Sequence, residues 1–180
     1  AQAAERAGLA DVALVERAPL EQWDSGTCLK FPQQGQFHVL KYLSGLARVI
    51  VRDGGRIHCG SHVSEIEASG DSPTATTSSG HTVTAGALVV ATNSPVNDWV
   101  ALHTKQAPYR TYVIGLRVPA GSVPRALYWD TPDPYHYVRL QQDGEGEVLI
   151  VGGEDHKTGQ ADDPARRYAD LEQWTRQRFP

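Results

Sequence analysis

Methionine is absent from this chain of 180 residues, cysteine occurs twice and phenylalanine three times. Cys28 and Cys59 stand far apart with no ligand spacing around them. They favour two ordinary buried thiols in a reducing, cytoplasmic setting over a disulfide or a metal site, and they supply no cluster ligand set. No apolar run approaches the roughly 20 residues of a membrane span, and no signal peptide is visible. Lys and Arg number 17 against 21 Asp and Glu, a net charge of -4. The basic residues are scattered, so the footprint of a nucleic-acid or anionic-lipid partner is missing. A glycine loop for phosphates is missing, as is a Gly-x-Ser-x-Gly elbow. His58, His62 and His81 have no Cys or carboxylate companions at ligand spacing, which argues against a metal.

What is present is a core and a pattern. A chain of this length buries about 70% of its unfolded surface. It opens inside a helical pattern, Ala1 to Ala7 stopped at Gly8, and closes on Phe179-Pro180 directly after another helix, so it reads as an internal piece of a longer protein. Asp11 to Arg17 reads as a strand and Pro19 to Gly35 as a loop. Val39, Leu40, Leu43, Leu46, Ala47 and Ile50 recur at helical spacing and predict a helix over Phe37 to Val51 with one face against a sheet, ended by Gly54-Gly55. Arg56 to Cys59, His62 to Ala68 and His81 to Thr84 alternate as strands, with turn chemistry from Ser69 to Gly80. Ala87-Leu88-Val89-Val90-Ala91 is a continuous apolar run of the kind found in a covered parallel sheet. After a connection from Val96 to Ala107, strands are predicted over Arg110 to Val118, Arg125 to Trp129, Tyr135 to Leu140 and Glu147 to Gly152. Short Pro- and Gly-rich turns between them suggest an antiparallel meander. Asp163-Pro164 then starts an amphipathic helix.

The helix His38 to Leu43, the strands Gly55 to Ile57 and Val63 to Ile66, and Gly80 to Val83 running into Leu88 to Asn93 resemble the FAD-dependent oxidoreductases of the D-amino-acid oxidase, glycine oxidase and sarcosine oxidase family. Lys105 to Tyr112, Tyr128 to Thr131 and Gly152 to Gln160 look like the branch whose members carry a Rieske domain after the oxidase domain. The resemblance implies an α/β (α+β) fold, with strands of a partial FAD-binding domain joined to an antiparallel-sheet substrate-binding domain of the D-amino-acid oxidase type. Residues 1–35 would be the entry helix, strand and loop of the substrate domain, 36–95 the distal part of the FAD domain, and 96–180 the substrate domain. FAD is the implied cofactor of the parent protein, not held by this piece alone, and a 2Fe-2S cluster would lie outside it. The partner is a small molecule, an amine or amino-acid-like substrate oxidised by hydride transfer to flavin; the alternative is a binding module that uses the sheet without redox chemistry.

The same resemblance assigns roles. The main chain at Val63 would meet the FAD adenine, and Ala91-Thr92-Asn93 would lie close to the cofactor. In Val151 to Gly159 a strand runs into a glycine-rich turn, where Gly152 and Gly153 let the backbone approach a flat ligand. His156, with Gly159, Asp163 and Pro164, matches a family pattern that places its histidine beside the flavin, and Tyr137 falls where a family tyrosine faces the substrate. His156 equally suits a turn histidine bonded to Asp155 or to backbone. Arg110 with Tyr112, and Tyr135 and Tyr137 with Arg139, share strand faces that would suit a substrate carboxylate, or else form a solvated sheet face with cross-strand pairs.

Overall fold

The longest strand among the described residues, Gly146–Lys157 (β9), organises one of the chain's two units, which comprises residues 1–35 and 108–180; residues 36–107 form the other. The computed structural model describes residues 1–68, 70, 72–92, 107–144 and 146–179. Among them the element order is α1 (Gln2–Arg6), β1 (Ala13–Val15), β2 (Cys28–Lys30), α2 (Val39–Arg52), β3 (Val63–Glu67), β4 (Thr74–Thr77), β5 (Thr82–Thr84), β6 (Tyr109–Val118), β7 (Tyr128–Trp129), β8 (His136–Asp143), β9 and α3 (Pro164–Arg176). It is an α+β arrangement in which every strand pair is antiparallel. No helix of the described residues is long and apolar enough to cross a membrane.

In the first unit the four-stranded sheet has the order β6-β9-β8-β7. The expected meander therefore holds only for β7, β8 and β9. β6 pairs with β9 from Val118↔Glu147 to Tyr109↔Lys157, because a strand as long as β9 offers a full ladder on both sides, whereas β7 has only two residues. Along β8 and β9 the residues Val138, Leu140, Leu149 and Val151 are fully buried, and α3 covers that face with Leu171, also fully buried. Each such side chain contributes roughly 1.5–3 kcal/mol of transfer free energy. Pro164 at the first turn of α3 and Asp163 at its N-cap begin the helix where expected. Leu20, Val123 and Phe179 complete the core, and Trp23 packs on its edge. The loop expected over Pro19 to Gly35 contains β2, which pairs with β1 from Ala13↔Lys30 to Val15↔Cys28.

Glu147 is the buried carboxylate of this core. It accepts the Gly121 N–H at 2.9 Å and the Arg125 guanidinium at 2.7 Å, tying the turn after β6 to the start of β9. The Gly121 N–H holds the carboxyl below its usual range; burial opposes this and Arg125 adds to it. A depressed folded-state value means that the contribution is present above the unfolded value of about 4.3 and is lost as pH falls through the lower folded value. Glu147→Gln is expected to lower Tm by a few degrees at pH 7, and the difference from wild type should shrink as the pH falls through the lowered native value. Thermal melts in a series from pH 7 into acid check both halves.

The second unit holds α2 and the sheet β3-β4-β5. α2 starts at His38, whose ring accepts the Lys41 N–H, and ends where Gly54 (φ 90) and Gly55 return N–H groups to Val51 and Ile50. A Cβ at Gly55 would stand 2.6 Å from the Ile50 side chain, so this stop is specific to glycine. Several expectations change in this unit. Ser69 to Gly80 is not all turn: Thr74–Thr77 pairs with both β3 and β5, since threonine is β-branched and Thr76 and Thr82 bond across the ladder at 3.1 Å. Arg56 to Cys59 and Ala87 to Ala91 are not strands, because no described residue supplies either with a ladder partner, and Val89 is 85% exposed. Nor does the apolar face of α2 lie on a sheet: Leu40, Leu43, Leu46 and Ile50 are exposed, and no described element packs on them.

Candidate functional site

Side chains alternate along β8, so Val138 and Leu140 point at α3 while Tyr137 and Arg139 stand on the other, open face. Tyr137 pairs with Gly152 in the β8–β9 ladder. A Cβ on Gly152 would fall 2.1 Å from Tyr137 Cζ and 2.3 Å from its hydroxyl, so the tyrosine ring lies directly across the glycine. The flat group that Gly152 admits is thus the ring of Tyr137. Gly153 is closed in the same way, by the Tyr135 carbonyl at 2.7 Å and the His136 ring at 2.8 Å from its absent Cβ. Both glycines lie inside β9; they do not turn the chain.

The open face carries Tyr135 beside Tyr137, ring centroids 6.3 Å apart, then Arg139, which pairs with Ile150. Arg139 is half-buried and has no hydrogen bond or ion pair among the described residues. Trp129, opposite Tyr137 in the β7–β8 ladder, adds an aromatic ring 70% exposed. A guanidinium without a partner among the described residues, beside two phenol rings, has the chemistry that suits a carboxylate.

Tyr112 is on the opposite side. It is 3% exposed, facing α3, and Tyr168 of α3 meets its ring edge-on at 5.1 Å. Tyr112 keeps the ordinary alternation of β6, in step with Val118, and its partner Gly153 pairs in turn with His136 on the helix side. Beyond them comes a bulge: the β6–β9 register passes from Tyr112↔Gly153 to Arg110↔His156, two residues against three. Glu154 takes the extra place with φ 57, a conformation that costs a non-glycine residue of order 1 kcal/mol or more. Alternation is thereby shifted, and His156 joins Tyr112 on the helix side, ring stacked on ring at 5.7 Å and 19°. Arg110 and Tyr112 are split from Tyr135, Tyr137 and Arg139, and Arg110 is exposed at the end of the ladder. His156 belongs to β9, not to a turn. Both of its ring nitrogens, and Asp155 Oδ1, are buried without a hydrogen-bond partner among the described residues. The alternative of a histidine bonded to Asp155 or backbone is not what the structure shows.

Next to it lies a charged cluster that the strand pattern does not announce. His136 is buried between two carboxylates, Nδ1 at 2.9 Å from Asp130 and Nε2 at 3.3 Å from Glu154, and stacks on Trp174 at 4.3 Å. Arg167 of α3 reaches Glu154 and Asp163. Arg178 lies 4.4 Å from both the Trp23 and Trp174 rings, and desolvation lowers its pKa. These contacts fasten α3 to β9 at the bulge and hold Glu154 in its strained conformation. The one signal in the sequence is His136 standing in register with Val138 and Leu140, on a face that must be buried.

In the second unit Val63 pairs with Thr77 at the start of β3, and Ala91 and Thr92 are exposed beyond β5. Asn93 lies outside the described residues. No group of three or more Cys, His, Asp or Glu among the described residues could hold a metal ion.

The sequence profile of the family described as FAD dependent oxidoreductase (DAO) matches residues 1–180. A protein of Bacillus subtilis (strain 168) that carries the name Rieske 2Fe-2S iron-sulfur protein YhfW is 28% identical over 150 residues, covering 83% of this chain. That relative fits the Rieske-associated branch, and the chain spans 29% of its length. No solved structure is a significant match. On the family profile that covers it from end to end, the chain belongs to the FAD-dependent oxidoreductases of the DAO type.

Proposed function

We propose that this chain forms the substrate-binding side of an FAD-dependent oxidoreductase that acts on an amine or amino-acid-like small molecule. The observation that carries the reading is Arg139, a half-buried cation without a partner among the described residues, on the open face beside Tyr135 and Tyr137. When bound, FAD supplies the acceptor for a hydride leaving the substrate carbon.

The protein residues orient and enclose. Arg139 holds the substrate carboxylate with two parallel N–H···O bonds, a contact lysine cannot reproduce. Tyr137, laid flat on Gly152, and Tyr135 wall the site against water, which strengthens each polar contact inside it. His156, on the helix side of β9, is the residue proposed to meet the cofactor, through two ring nitrogens that have no partner among the described residues. Val63, Ala91, Thr92 and Asn93 are the cofactor-binding residues proposed for the other unit. In the full-length protein a 2Fe-2S cluster would take the electrons onward.

The test is anaerobic mixing of the full-length protein with amino acids and with the corresponding amines lacking a carboxylate. Bleaching of the flavin band by the carboxylate-bearing members supports the reading. A flavin reduced by neither set, or a protein without flavin, overturns it in favour of a binding module.

A further inference from the structure

Buried histidines are normally held in place by at least one hydrogen bond from a ring nitrogen, and leaving both unmade costs on the order of 1–3 kcal/mol for each group. His156 makes neither bond among the described residues, yet its ring is not loose: it lies against Tyr112 at 5.7 Å with the planes 19° apart. Tyr112 in turn is almost wholly buried and is met edge-on, at 90°, by Tyr168. Stacked and edge-to-face pairs each contribute about 0.5–1.5 kcal/mol beyond their buried area, enough to fix a ring plane without using a nitrogen.

We infer that Tyr112 of β6, backed by Tyr168 of α3, is a positioning residue that orients the His156 imidazole and keeps both of its nitrogens free for the bound ligand. Tyr112 then acts through His156 and not by touching substrate. The inference rests on the reading of His156 given above, but its own test is separable from it. The Glu154 bulge is what makes the arrangement possible, because without the extra residue the His156 side chain would project from the other face of β9. Arg167, bonded to Glu154 and to Asp163, fixes that bulge to the first turn of α3, the helix that carries Tyr168.

The experiment uses the full-length protein, selectively labelled at histidine, with His156→Asn to assign its resonance. In wild type the His156 Cε1–H signal should be displaced by the neighbouring ring. Tyr112→Phe should retain the displacement and Tyr112→Leu should abolish it. Tyr168 is 47% exposed, so Tyr168→Leu leaves the fold intact and should reduce the displacement part-way. In turnover, Tyr112→Leu and Tyr168→Leu should each lower kcat by about tenfold with KM nearly unchanged, since a misdirected catalytic-side ring slows the chemical step. The phenylalanine variants should restore both readouts. A His156 signal indifferent to Tyr112→Leu and Tyr168→Leu overturns the inference, whatever the activity does. A displacement that responds as expected while His156→Asn leaves turnover unchanged overturns the positioning role through failure of the underlying reading of His156, and leaves only the stack.

Discussion

Gly152→Ala is expected to lower kcat/KM of the full-length protein by about 100-fold and its stability by about 1–3 kcal/mol, the range for forcing an added methyl into a packed site. The new Cβ would lie 2.1 Å from Tyr137 Cζ, and both partners are fixed: one is mid-strand backbone, the other a ring with two torsions. Tyr137 must swing off the strand, taking with it the wall on which the substrate rests. Gly115→Ala is the control, because its Cβ would meet only the Val148 side chain at an ordinary 3.4 Å and should leave stability within about 1 kcal/mol. Combining Gly152→Ala with Tyr137→Ala should recover stability while activity stays low, which separates the clash from the role of the ring. Chemical denaturation and steady-state kinetics on the four proteins decide it. Wild-type behaviour of Gly152→Ala would show that Tyr137 does not lie where described.

For Arg139 the expected effect is selective. Arg139→Ala should reduce kcat/KM for carboxylate-bearing substrates by about 100-fold, equivalent to about 2.7 kcal/mol of lost charge-assisted hydrogen bonding. Amines without a carboxylate should lose no more than about threefold, since they never made the contact. Arg139→Lys should recover only part of the loss, as an ammonium offers a point charge where two parallel donors are needed. Because Arg139 has no intramolecular partner among the described residues, removing it strands no buried carboxylate and stability should change little. Equal losses for both substrate classes would place the carboxylate elsewhere.

Much of this architecture is legible in the residues themselves. α2 is announced by spacing and its glycine stop, α3 by spacing and Asp163-Pro164 at its start, β3 and β5 by alternation, and β6 and β8 by the turns around them. Elements written in polar letters are not: β4 is Thr-Ala-Thr-Thr, and hydroxyl-rich composition looks like a turn until the partners on both sides are known. The opposite error occurs at Ala87 to Ala91, where an apolar run reads as a central strand although a strand exists only through its neighbours.

The site divides along the same line. Tyr135, Tyr137 and Arg139 share a face because a period of two holds along β8, and that much follows from spacing. The place of Tyr112 on the other face needs the register with Gly153 and His136, and that of His156 depends on a bulge at Glu154, a non-glycine residue at positive φ that no local propensity favours. The same bulge is stabilised by His136, Arg167 and Asp163, which come from two further elements, so only the assembled sheet and helix reveal why β9 deviates there.

The visible spectrum of the purified full-length protein, before and after acid release of its flavin, tests the proposed function most directly. The expectation is a yellow protein with flavin bands and one FAD released per chain, bleached anaerobically by an amino-acid-like substrate. A colourless protein that takes up no FAD on reconstitution would contradict it.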